Sequence, residues 1–126
     1  MQDFRKLRVW THAQDLAVEV RRARVRFRRA GYGPSKIQMT RSAESIVHTI
    51  VEGSAAASPK EFARFLDMAI KSATELEGQV ELARNYGILR EHEWKELTDS
   101  LVSERRMLCV LRKRVLAPRN RPPRRE

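Results

Sequence analysis

The sequence predicts an all-α fold, an antiparallel up-down-up-down four-helix bundle. Three observations carry that prediction. Apolar residues recur at alternating steps of four and three in four separate blocks, the period that gathers them on one helical face. No stretch sustains the strict alternation of a half-buried strand. The breaks between blocks are short, which favours antiparallel packing of sequential neighbours.

The first block runs from about Val9 to Arg29, with Val9, Ala13, Leu16, Val20, Ala23 and Phe27 on one stripe. Gly31, Gly33 and Pro34 break it. In the second block Met39, Ala43, Ile46 and Ile50 repeat the rhythm, and Gly53 reads as a left-handed C-terminal cap. Ser58-Pro59-Lys60-Glu61 is the clearest local signal: a capping serine, a proline suited to the first turn, and a glutamate that completes a capping box. The third stripe follows as Phe62, Leu66, Ala69, Ala73, Leu76, Val80 and Ala83, and Gly87 ends it. Trp94, Leu97, Leu101, Leu108, Leu111 and Val115 form the fourth, interrupted by Glu104 and stopped by Pro118. Residues 1–118 thus read as one domain and 119–126 as a disordered basic Pro/Arg tail.

Composition agrees with a single packed domain of 126 residues, 41% apolar and 33% charged, with five glycines and five prolines. The lone Cys109 excludes an internal disulfide and fits a reducing cytosol. The start Met-Gln-Asp-Phe-Arg-Lys has no apolar signal core, and no apolar run reaches membrane-spanning length. The expectation is a cytoplasmic protein without a membrane partner.

Net charge is +10, which favours a polyanionic partner. Residues 1–30 carry nine basic and three acidic groups, net +6, and the tail 119–126 carries +3. Arg21, Arg22, Arg26 and Arg29 lie near the end of the first helix, and Arg105, Arg106, Arg112 and Lys113 lie in the last. These eight are the candidate nucleic-acid-binding residues. The arginine fork grips phosphate through two hydrogen bonds, which a lysine cannot match. Basic helix ends are also favoured by the macrodipole, but that accounts for only a few charges per helix. No helix-turn-helix glycine pattern, zinc set or interleaved aromatics point to base readout, so backbone contacts should dominate.

Several helices carry more apolar surface than one stripe. Met107 to Leu111 are five consecutive apolar residues, and Ile46-Val47, Ile50-Val51, Phe65-Leu66 and Ala69-Ile70 double their stripes. Solvent-exposed aliphatics are one reading and a surface shared between copies of the chain is the other.

No catalytic residue, metal site or cofactor is expected. His12, His48 and His92 have no His or Cys partner at helical ligand spacing, and Cys109 sits in an aliphatic run without an activating base. There is no glycine-rich phosphate loop, no Gly-x-Ser-x-Gly and no Glu-x-x-His pair. A polar line does run along the second helix, Gln38, Arg41, Ser45 and Glu52 beside Gly53. It faces another on the third, Ser72, Glu75 and Gln79. Folding back through residues 54–58 brings Arg41 within reach of Glu75, so either an ion pair backed by serines or two separate solvated faces is expected.

Arg5 to Leu89 resembles the four-helix-bundle proteins encoded by intervening sequences within bacterial 23S ribosomal RNA genes. The likeness rests on Lys6-Leu7-Arg8-Val9-Trp10, Gln38 with Arg41, Ser45-Ile46 and Ile50-Val51-Glu52-Gly53. It continues through Ser58-Pro59-Lys60-Glu61-Phe62, Phe65-Leu66, Ala69, Ser72 and Glu75-Leu76-Glu77. Thr49 and Val51 stand where that family usually has Asn and Ala, and Lys71 where it has Gly. The resemblance implies a pentameric ring, and a related group, the accessory variability determinants of diversity-generating retroelements, implies a nucleic-acid surface and a protein partner. It also implies that Gly53 caps a helix while Ser45 and Glu52 make internal bonds. The expected function is therefore a basic homo-oligomer, a pentamer by resemblance, that binds RNA or DNA. The alternative is a protein-interaction scaffold whose charge serves solubility or an acidic partner.

Overall fold

A computed structural model describes residues 2–23 and 33–118. Four helices follow a turn of 3-10 helix at Phe4–Lys6: α1 (Arg8–Arg22), α2 (Gly33–Ser54), α3 (Pro59–Asn85) and α4 (Glu91–Leu116). Each packs on its chain neighbours, and α1 and α4 close the bundle. Side-chain pairs set the directions. Lys36 near the start of α2 donates to the Val20 and Arg21 carbonyls at the end of α1, at 2.8 and 3.0 Å. His12 and Glu19 of α1 meet Glu104 and Ser100 of α4. All sequential neighbours are antiparallel.

The buried stripes are those the period predicts. Val9, Ala13, Leu16 and Val20 from α1 meet Met39, Ala43, Ile46 and Ile50 from α2. Leu66, Ala69, Ala73, Leu76 and Val80 from α3 and Leu97, Leu101 and Leu108 from α4 complete the core. The break in the fourth stripe is itself buried: Glu104 is fully enclosed.

The ends of the helices depart from expectation in three places. α1 closes at Arg22, where the Ala23 N–H turns back to the Val20 carbonyl, short of the expected Arg29. α2 begins at Gly33, so Pro34 opens the helix rather than preceding it; proline lacks only an N–H that the first turn cannot use. Gly53 is not a left-handed cap, since α2 runs through it to Ser54. Its missing side chain is required by packing: a Cβ there would stand 2.8 Å from the Phe65 Cβ and 3.0 Å from the Phe62 ring.

The other two ends follow the sequence. Ser58 accepts from the Glu61 N–H at 3.1 Å, and Glu61 reaches back to the Ala57 N–H. Gly87, at φ +80°, ends α3 while the Ile88 N–H bonds to the Ala83 carbonyl, and Ile88 is buried beneath the turn. The expected tail, 119–126, lies outside the described residues. Among the described residues, no helix is long and apolar enough to cross a membrane.

Candidate nucleic-acid interface

The eight predicted cations do not form one patch. Arg105 bonds Glu77 at 2.6 Å and Arg112 forks onto Asp67, so both guanidiniums tie α4 to α3. Bonding to Glu77 raises the already high pKa of Arg105 further. Arg21 and Arg22 are exposed at the opposite pole of the bundle, where Arg21 stands 3.9 Å from Glu44. Arg26 and Arg29 lie outside the described residues. Lys113 is exposed; Arg21 borders a shallow recess that also holds the acidic Glu44, while Arg106 lines a recess at the other pole.

That recess is a groove of about 390 Å³ between the N-terminal segment and the last turns of α4. Arg106, Val110 and Arg114 recur at steps of four, so they share one flank of α4. Met107 and Leu111, one position on, turn inward and pack partly against the core. The opposite wall is Lys6 and Leu7 at the exit of the 3-10 turn and Arg8 and Val9 in the first turn of α1. The Gln2 N–H donating to the Ser54 carbonyl at 2.8 Å holds this segment down. Asp3 caps the turn through the Arg5 N–H, and Phe4 meets Trp10 edge-on at 4.9 Å between ring centres.

Four cations therefore rim an apolar floor, and among the described residues no carboxylate lines the groove. Like charges held over low-dielectric walls focus a positive potential, which concentrates anions. Arg114 also borders a second hollow, of about 530 Å³, that runs past Ser58 and Phe62 to Pro118. Lys6 and Arg8 were absent from the predicted set because the sequence places them about a hundred residues from Arg106. The signal that could have found part of the site is the spacing of Arg106, Val110 and Arg114.

The polar line of α2 and α3 assembles in part. The Ser45 and Ser72 hydroxyls hydrogen-bond at 2.9 Å, and Thr49 donates to the Ser45 carbonyl. Arg41 and Glu75 border the same shallow hollow with Gln38 and Gln79, yet no ion pair joins them. Both are exposed, so water solvates each more cheaply than an ordered pair would. Glu52 is exposed too, rather than making an internal bond.

Sequence reasoning passed over the pairing of His12 with Glu104. The imidazole Nδ1 lies 2.9 Å from Glu104 Oε1, while Oε2 is buried without a partner. Burial pushes the Glu104 carboxyl up to about 8. Nearby, burial also raises Glu19, against the hydrogen bond from Ser100. Among the described residues no cluster of three metal-ligating groups occurs.

No curated protein matches the chain. A solved protein of unknown function, from the S23 ribosomal protein family of Bacteroides thetaiotaomicron, is similar in fold. Its TM-score is 0.79 at 22% identity, covering 83% of this chain and 98% of that one. The model of the 23S rRNA-intervening sequence protein matches residues 5–109, which takes in Lys6, Arg8 and Arg106 of the groove and nearly all of the buried core. With four helices in the expected order and that match across most of its length, the chain belongs to the 23S rRNA-intervening sequence protein family.

Proposed function

We propose that the chain acts by binding rather than catalysis, as a basic homo-oligomer that holds nucleic acid non-sequence-specifically in the groove between α1 and α4. The observation that carries this reading is the groove itself. Lys6, Arg8, Arg106 and Arg114 converge on it from two separated stretches of chain with no acidic residue among them. Arg105 and Arg112, by contrast, are neutralised by α3. The groove offers phosphate oxygens forked donors, and nothing in it reads base edges, so affinity should follow the backbone.

Electrophoretic titration with RNA and duplex DNA at several salt concentrations tests the reading. The expected result is a linear fall of log affinity with log salt, as counterions return to each released phosphate. Paired substitutions Arg106→Glu and Arg114→Glu should weaken binding at least about tenfold without lowering the melting temperature. No binding at low salt would overturn it.

Oligomerisation, to a pentamer by the family resemblance, is part of the same proposal. The face it would use lies beside Arg41, where Ile37 and Leu82 are about half exposed, at 52% and 48%. Thr40 Oγ1 and Gln79 Oε1 are buried there without partners. The same features favour the second reading, a scaffold that docks another protein. Light scattering of the wild type and of Leu82→Glu separates the two. A mass several times the chain's, reduced by the substitution, supports self-association; a lone-chain mass favours the scaffold.

A further inference from the structure

We propose that the groove between α1 and α4 takes single-stranded rather than duplex nucleic acid, with phosphates on its arginine rim and unstacked bases on its apolar floor. This rests on the nucleic-acid reading above and narrows its ligand class.

The floor is the observation. A surface built only to meet a duplex would need cations and hydrogen-bond donors, because a duplex presents phosphates and sugars and keeps its base faces stacked inside. Here Val110 is 53% exposed on the flank of α4 between Arg106 and Arg114, with Met107 and Leu111 beside it in the groove lining. Rigid duplex phosphates would leave that surface wet or bury it against polar groups, with no gain in either case. A splayed strand turns base faces outward, and an apolar platform removes them from water while the backbone follows the rim.

Arg106 to Arg114 is eight residues of helix, about 12 Å at 1.5 Å per residue, so the rim on α4 follows a short stretch of phosphate backbone. Arg114 stands on the edge shared with the second hollow, so a strand leaving the groove can continue over it toward Pro118. A polyanionic strand is the occupant that uses the floor, the rim and the adjoining hollow together; a compact acidic peptide would fill the groove alone.

Fluorescence anisotropy at low salt, with a labelled oligouridylate and a blunt RNA hairpin of equal charge, tests the proposal. The single strand should bind about tenfold more tightly than the hairpin. Val110→Asn should reduce that preference several-fold, and Val110→Trp should enhance single-strand affinity several-fold by offering an aromatic platform. A gain of affinity cannot come from misfolding, since the site is exposed. Equal affinity for both probes, indifferent to either substitution, would overturn the single-strand inference and leave nucleic-acid binding intact. Failure to bind either probe would overturn the nucleic-acid reading itself, and capture of a labelled acidic amphipathic peptide in that event would assign the groove to a protein.

Discussion

Among the described residues, the buried carboxyl of Glu104 bonds His12 alone, with its second oxygen unmet. Its proton is bound more tightly folded, at about 8, than at the usual 4.5 of an unfolded chain. The stability linked to that proton is complete below pH 4.5 and disappears as pH rises through about 8. Denaturant melts run between pH about 5 and about 9 should lose on the order of 4 kcal/mol toward the alkaline end. In Glu104→Gln, which has no proton to lose at that position, this part of the decline should vanish and only what the raised Glu19 contributes should remain. Gly53 makes a different test. Alanine there would favour the helix by about 1 kcal/mol but overpack against Phe62 and Phe65 by about 1–3 kcal/mol, so Gly53→Ala should lower stability. The glycine was legible as an end signal because it follows an apolar repeat. Its true reason was illegible, since the approach of α3 is a tertiary fact that no local pattern holds. The same limit hid the acid partners of Arg105 and Arg112: a run of arginines reads as surplus charge until folding sets Glu77 and Asp67 beside it.

Among the elements, α3 has the clearest written start. Ser58→Ala removes the oxygen that accepts the Glu61 N–H and should cost about 1 kcal/mol in denaturant melts, whereas Glu61→Gln keeps the reach to Ala57 and should cost less. Stripes such as Val9–Ala13–Leu16–Val20 could be read directly because burial follows the helical period wherever a helix has one covered face. The arginines of α4 divide by face in a way the period alone does not tell. Arg112→Gln breaks a partly exposed pair, and stability should change by less than about 1 kcal/mol. Nucleic-acid affinity should barely move in that variant, while Arg106→Gln should lower it, an asymmetry that titrations of the two at one salt concentration would measure. The seam between α1 and α4 is the one that holds the buried carboxyl, Glu104 against His12, with Glu19–Ser100 beside it. Alkaline pH should therefore loosen α1 first, and hydrogen exchange of its amides would register it.

For the whole molecule, charge is distributed to both poles rather than to one face. Lys6, Arg8, Arg106 and Arg114 occupy one, Arg21 and Arg22 the other. If the groove carries the binding, deleting residues 119–126, net +3, should flatten the salt dependence, because fewer counterions are released. Deletion should not change the melting temperature. The topology was legible because four stripes joined by short breaks have few ways to bury their faces. The groove was not, because it needs the first ten residues and the last turns of α4 to meet. The poles also differ in their indoles. Trp10 rests edge-on to Phe4 beside the groove, while Trp94 lies beneath Arg84, 3.7 Å from guanidinium carbon to ring centre, and donates to Glu81. The protein thus has a built-in optical reporter at each extremity: Trp94→Phe leaves emission from the groove side alone, Trp10→Phe from the far side. Which signal is quenched when a ligand arrives states where it landed, with no dye attached.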